Sequence, residues 1–286
     1  MADFRILEDF VAEREEIRRR KEAGESYTTL DPILGKYRFC NVRRKDDRVS
    51  RWLLKNYYTD PAGDVWFRAL IARLINWPPT LDHLMKAGVI PFKVDEFSAF
   101  AFCEAMKELE QKKEKMYSSA YVVYPTNIKG NTKAFNMCWH IIVPAIELTN
   151  HLRWQVANES IQAFTTVLAG SFGIKTFIAG QVSADLTYIR GQLDNAHDLY
   201  YWAPMGPGSL RGLNRLHNRK LTQKIKQHEF NDELFEVRGT LLGKMPALKD
   251  MTLHDVQNVM CEYDKYIRVL KGEGAPRQLY KTERAF

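Results

Sequence analysis

The stretch Leu168–Tyr188, LAGSFGIKTFIAGQVSADLTY, joins two helical patterns through a turn that contains Gly170 and Gly173. Ser160 to Leu168 and Ile174 to Tyr188 each space their apolar residues for a helix, and the glycines mark the change of direction between them. Such a turn can expose backbone N–H groups at the start of the second helix, where a DNA phosphate would be held beside Lys175. An ordinary tight connection between two helices explains the same residues. A GxxxxGK[ST] phosphate loop does not, because four residues do not separate the glycines and lysine does not directly follow the second. On the second helix Gln181 and Asp185 lie one turn apart and share a face, so an amide and a carboxylate are available to a base edge or a proton.

Helical periodicity continues on both sides of this stretch. Glu8 to Lys21 carries Phe10, Val11 and Ile17 on one face and closes at Gly24. After Pro32 and Gly35 a long helical pattern is expected, carrying Phe39, Val42, Val49, Trp52 and Leu53, with arginines on its other face. Val65 to Leu74, Thr80 to Ala87, Glu96 to Lys115, Cys138 to Thr149, Asp232 to Leu242 and Leu253 to Leu270 also read as helices. One β signal stands out: Tyr121 to Tyr124 are strand formers and Lys129-Gly130-Asn131 can turn a hairpin. The expected fold is therefore mainly α with one small β-hairpin, and the tail GEGAPRQLYKTERAF is expected to run extended over the surface.

The 286 residues, 45% of them apolar, suffice for a substantial core. Lys and Arg outnumber Asp and Glu by 42 to 35, a net charge of +7 that favours a polyanionic partner. Cys40, Cys103, Cys138 and Cys261 form no CxxC pair and have no histidine at zinc-ligand spacing, so neither a disulfide framework nor a structural zinc site is expected and a reducing cytoplasm fits. The first twenty residues are a charged amphipathic run rather than a signal peptide, and no run of eighteen apolar residues occurs, so no membrane association is expected.

Three further blocks carry candidate chemistry. In Arg38-Phe39-Cys40-Asn41-Val42-Arg43-Arg44 and its continuation, Arg44, Arg48 and Arg51 would lie close together on a helix and suit phosphate oxygens, although a solvated face of Arg and Asp pairs fits equally. Ala203 to Arg215 places Gly206-Pro207-Gly208, Ser209 and Arg211 at a helix start, either as an anion site or as a plain N-terminal cap. Asp255 to Tyr266 puts Asn258, Glu262 and Lys265 on one side of a helix, where amide, carboxylate and ammonium meet, or where an ordinary surface pair sits.

Together, DPILGKYRFCNVRRKDDRVSRWL, GSFGIKTFIAGQVSADLTY, APMGPGSLRGLNRL and DVQNVMCEYDKYIRVLKGEGAPRQLY resemble the α-glutamyl/putrescinyl thymine pyrophosphorylases, whose helical domain also accompanies phage 5-hydroxymethyluracil DNA kinases. The resemblance implies a DNA-glycosylase-like helix-hairpin-helix architecture over residues 1–286, with two helical lobes around a central cleft that receives an extruded base. Two departures from a glycosylase stand out: the turn at Gly170 is one residue longer than the usual LxGxG hairpin, and Gly206-Pro207-Gly208 stands where the catalytic aspartate would be.

The implied reaction is accordingly transfer of an amine from an amino acid or polyamine to the 5-methylene of pyrophosphorylated 5-hydroxymethyluracil in double-stranded DNA, with release of pyrophosphate. A separate 5-hydroxymethyluracil DNA kinase would install the leaving group, and the host cytoplasm would be the compartment. Arg38, Arg44, Arg48 and Lys265 are the candidates for the departing charge, and Asp185 and Glu262 for the amine proton. Asn41, Gln181 and Asn258 would hold the base edge, while Lys175, Gly206, Gly208, Ser209 and Arg211 would contact DNA phosphate. A stepwise route would add Cys40 or Cys261 to C6; a small buried hydrophobe is the competing role for each. No cofactor is required, and a divalent metal that shields pyrophosphate is left open. A glycosylase acting on a modified base and a non-catalytic module that binds modified DNA are the alternatives.

Overall fold

The computed structural model describes residues 4–25, 29–118 and 131–280. In chain order its α-helices are α1 (Arg5–Glu22), α2 (Pro32–Lys36), α3 (Arg48–Asn56), α4 (Val65–Ile75), α5 (Pro78–Lys86), α6 (Ala99–Gln111) and α7 (Lys133–Met137). They continue as α8 (Val143–Ile146), α9 (Thr149–Ala157), α10 (Ile161–Ala169), α11 (Thr176–Leu186), α12 (Pro207–Leu216), α13 (Gln227–Lys244) and α14 (Leu253–Leu270). The chain divides into two compact units: a terminal unit that combines residues up to Asp47 with those from Tyr200 onward, and a central unit, Arg48–Leu199. The hairpin expected over Tyr121 to Asn131 falls almost wholly outside the described residues.

In the central unit every residue of α4 is buried, including Arg68 and Arg73. A helix that is hydrophobic nearly all round belongs in a core, and here α11 packs along it while α10 packs on α11. The two arginines are tolerated because their donors are spent. Arg68 donates to the carbonyls of Tyr57 (2.7 Å) and Ile90 (2.9 Å) and lies over the Tyr57 and Phe92 rings. Arg73 pairs with Asp185 of α11 and donates to Ser50 Oγ (3.1 Å). The helix, glycine turn and helix read around Gly170 are present as α10, residues 170–175 and α11, with Gly173 at φ +77°.

In the terminal unit Phe10, Leu213, Phe230, Leu234, Val256, Val259 and Met260 form one core with α14 at its centre. α12 lies unusually close to α14. A Cβ at Gly208 would collide with Cys261 Sγ, and one at Gly212 with the backbone oxygen of Met260. The glycines are therefore explained by helix contact. Thr252 caps α14, accepting from Asp255 N (3.2 Å), while Asp255 takes the N–H of Thr252 (2.9 Å). The tail is described only as far as residue 280, and within it Leu279 forms an antiparallel bridge with Tyr37, which fastens the segment after α2.

The long helix expected from Phe39 to Leu53 does not form. Residues between α2 and α3 are extended apart from one 3-10 turn, Arg44–Asp46, so Arg44 does not share a helix with Arg48 and Arg51, which belong to α3. Gly212→Ala is expected to lower stability by roughly 1–3 kcal/mol. By contrast Gly239→Ala, in α13 with open space around its Cβ position, is expected to be neutral or stabilising by up to ~1 kcal/mol. Urea midpoints of the two variants measure the difference.

Candidate functional site

The reason residues 38–47 refuse the helix is visible in their backbone hydrogen bonds. Side-chain carboxylates take the N–H groups: Glu262 that of Cys40 (2.9 Å), Asp47 that of Asn41 (2.9 Å) and Asp255 that of Arg44 (2.8 Å). Arg14 of α1, itself buried, donates to the carbonyls of Cys40 (3.2 Å) and Phe39 (3.3 Å) and to Asn41 Oδ1 (3.2 Å). Polar backbone groups must be satisfied when buried, and here three acids and one guanidinium supply what a helical ladder would have supplied. Asn41 adds a bond of its own from Nδ2 to the carbonyl of Asp46 (2.8 Å).

Glu262 is the hinge of this arrangement. Its Oε2 receives both the Cys40 N–H and the ammonium of Lys265 (2.5 Å), and Lys265 also donates to the Arg38 carbonyl (3.1 Å) and lies 4.6 Å from the Phe39 ring centroid. Glu262 is buried and Lys265 half-buried, so the pair is only partly open to solvent. Arg38 is exposed and Arg44 buried. Burial pushes the Asp47 carboxyl up to about 6, the Asn41 N–H and Arg44 pulling the other way and Glu262 adding to the rise. Burial, and then Glu262, also raises both thiols, Cys40 strongly and Cys261 to about 11. Both are protonated at neutral pH, which leaves neither prepared to attack as a thiolate.

Beside these satisfied groups lies a set whose hydrogen-bonding capacity is unspent. His254 Nδ1 and Nε2, Asn258 Nδ2 and Trp202 Nε1 are shielded from solvent and have no hydrogen-bond partner among the described residues. His254 is 1% exposed, and burial followed by Arg44 lowers its pKa to about 3, so it is neutral. Its ring meets Trp202 edge-on, centroids 6.0 Å apart. An unpaired buried polar group costs about 1–3 kcal/mol, so His254 and Asn258, one turn apart on α14, with Trp202 against the His254 ring, are a candidate place for a polar ligand or solvent. Sequence reasoning missed His254 and Trp202, although His254 stands one helical turn before Asn258 and two before Glu262, at the spacing that would have flagged it.

Other expected site residues have structural employment. Ser209 is fully buried, with Oγ donating to the Gly206 carbonyl (3.0 Å) and accepting from Gln257 Nε2 (3.2 Å), which uses the hydroxyl as a helix-start anchor. Arg211 and Arg215 both engage Asp264, at 2.9 Å and 2.7 Å, so Arg211 carries a matched charge. In the central unit Asp185 is 2% exposed; Arg73 engages both its oxygens and the Tyr58 hydroxyl donates to Oδ2 (2.6 Å). That carboxylate fixes α11 to α4 rather than facing solvent. Gln181 is buried one turn away, and Lys175 is exposed beside the glycine turn. Arg48 is half-buried at the start of α3. Among the described residues no group of three or more His, Cys, Asp or Glu could hold a metal ion, and no helix is long and apolar enough to cross a membrane.

The chain is thus a mainly helical protein, with a buried polar network assembled by residues up to Asp47 and from Tyr200 onward. A family model described as the helical domain of 5-hmdU DNA kinase matches residues 2–275, and the chain belongs to that family. This places it in the setting of DNA modification. No curated protein and no solved structure matches it.

The Asp47 carboxyl, raised from 3.8 to about 6, holds its proton more tightly folded than unfolded. Its contribution to stability is complete below about pH 4 and lost as pH rises through 6. Asp47→Asn keeps an acceptor for the Asn41 N–H and cannot ionise. Urea titrations should show the variant gaining on the parent between pH 4 and pH 7, by on the order of 1 kcal/mol or more.

Proposed function

We propose that the chain is a transferase that replaces pyrophosphate on the 5-methylene of modified uracil in DNA by an amine, as in the thymine pyrophosphorylases it resembles. The observation that carries this reading is that Glu262, in one of the blocks on which the resemblance rests, pairs with Lys265 and holds the Cys40 N–H of another block, with the unspent amide of Asn258 one helical turn before it. In this reaction the C–O bond to pyrophosphate breaks, the oxygen keeping the electron pair, and a C–N bond forms. The amine must attack neutral and lose a proton afterwards. Glu262 is assigned as its acceptor, with Lys265 and the exposed Arg38 stabilising the departing anion. Asn41 and Asn258 are assigned to the base edge. The reaction as written needs no cofactor.

A second reading has its own support. The matching family is the helical domain of a kinase, and both Glu262 and Asp47 are already occupied by backbone N–H groups. A module that recognises the modified base without turning it over would use the same residues for binding alone.

The deciding experiment incubates DNA bearing 5-pyrophosphoryloxymethyluracil with the protein and a mixture of amino acids and polyamines, then analyses the nucleosides by mass spectrometry. A thymine adduct formed with loss of pyrophosphate is the expected product, and Glu262→Gln should slow its formation by about 10²–10⁴-fold while DNA affinity stays within a few-fold. Released free base would establish a glycosylase instead. Tight binding with unaltered nucleosides would leave the recognition module.

A further inference from the structure

Every exposed large apolar side chain described in the central unit is aromatic, whereas aliphatic side chains predominate among those of the terminal unit. Phe172 is 59% exposed, Trp139 42% and Phe135 38%. These three stand on adjoining elements for identifiable reasons. Phe135 in α7 and Trp139 are four residues apart, with ring centroids 6.1 Å apart at 37°. Between α7 and α8 the helix widens to a π turn, Cys138–Ile142. Pro144 has no N–H to give the His140 carbonyl, so the regular ladder cannot run through this point.

The glycine turn is seated on that widened segment. A Cβ at Gly173 would lie 2.9 Å from Ile141 Cγ1 and 3.3 Å from the His140 oxygen, so only glycine permits the approach, and its φ of +77° adds a second reason. Phe172 therefore projects from a turn anchored to the very segment that bears Trp139, with exposed Lys175 three residues further on.

We propose that the 170–175 turn and the Phe135–Trp139 pair form a stacking surface for unpaired DNA bases, with Lys175 at the adjacent phosphate. The proposal rests on the reading that DNA is the partner. Flat π faces serve bases of any identity, while a groove for a protein helix would be expected to offer aliphatic side chains as well. An intact duplex buries its base faces except at ends and gaps, so the fitting occupant is a single strand or a locally opened duplex. Lys175, exposed in the turn itself, supplies the positive charge that a phosphate beside the stacked bases would meet.

The test measures affinity of the full-length protein for a fluorescent oligothymidylate and for a blunt duplex of equal length, in salt high enough to screen phosphate contacts. Phe172→Ala and Trp139→Ala should each weaken single-strand binding by about 5- to 100-fold, with much smaller effects on duplex. Phe172→Tyr and Trp139→Phe keep a ring and should retain affinity, while Phe172→Leu keeps only apolar bulk and should not. Thermal melts confirm folding of these exposed-site variants. Equal binding by Phe172→Leu and the parent, or equal loss on both DNA forms, overturns the stacking surface. Parent protein without affinity for either DNA overturns the DNA reading along with it.

Discussion

The hydrogen bond from the Cys40 N–H to Glu262 is the constraint from which the terminal unit follows. It ties a segment near the start of the chain to the last helix across 222 positions. Asp255 of the same helix takes the Arg44 N–H, Arg14 of α1 holds the Cys40 carbonyl and Asp47 closes the segment on itself, so residues 38–47 lie against α14 with one 3-10 turn and no α-helix. Side-chain acceptors in place of ladder partners make the segment depend on charges that are themselves buried. Removing one partner would leave an uncompensated ion or an orphaned amide, and such losses are larger than the net worth of the bond.

The central unit answers the same problem differently. Arg73 and Asp185 neutralise one another in the core, and Tyr58 and Ser50 take up remaining capacity around them. Buried ion pairs of this kind bring little net stability over a well-packed apolar alternative, but breaking one by removing a single partner leaves an uncompensated charge in the core. The close contact of α12 with α14 is specific in another way, since only Gly208 and Gly212 leave room for Cys261 and the Met260 carbonyl.

Set beside the satisfied network, the unspent groups of His254, Asn258 and Trp202 are the chemically distinctive part of the terminal unit. Burial holds His254 neutral, so it can offer one donor and one acceptor rather than a charge. Membership of a family named for 5-hmdU DNA kinase sets the chain in the context of DNA modification.

Helix existence was legible in the sequence, because α1, α10 and α14 bury one face whose spacing shows in the residue order, while α4 and α11 are apolar runs of helical length. The glycine turn at 170–175 and the grouping of Asn258, Glu262 and Lys265 were legible for the same local reason. The extended course of residues 38–47 was not: its apolar spacing suits a helix, and the acceptors that overrule it come from Asp255 and Glu262, more than two hundred positions away. Nor did the residue order distinguish Asp185 as a core ion from Asp185 as a proton acceptor, since Arg73 and Tyr58 approach it only after folding. Local periodicity determines which segments are helices; partners of buried polar groups are long-range, and they decide which acids are free to do chemistry.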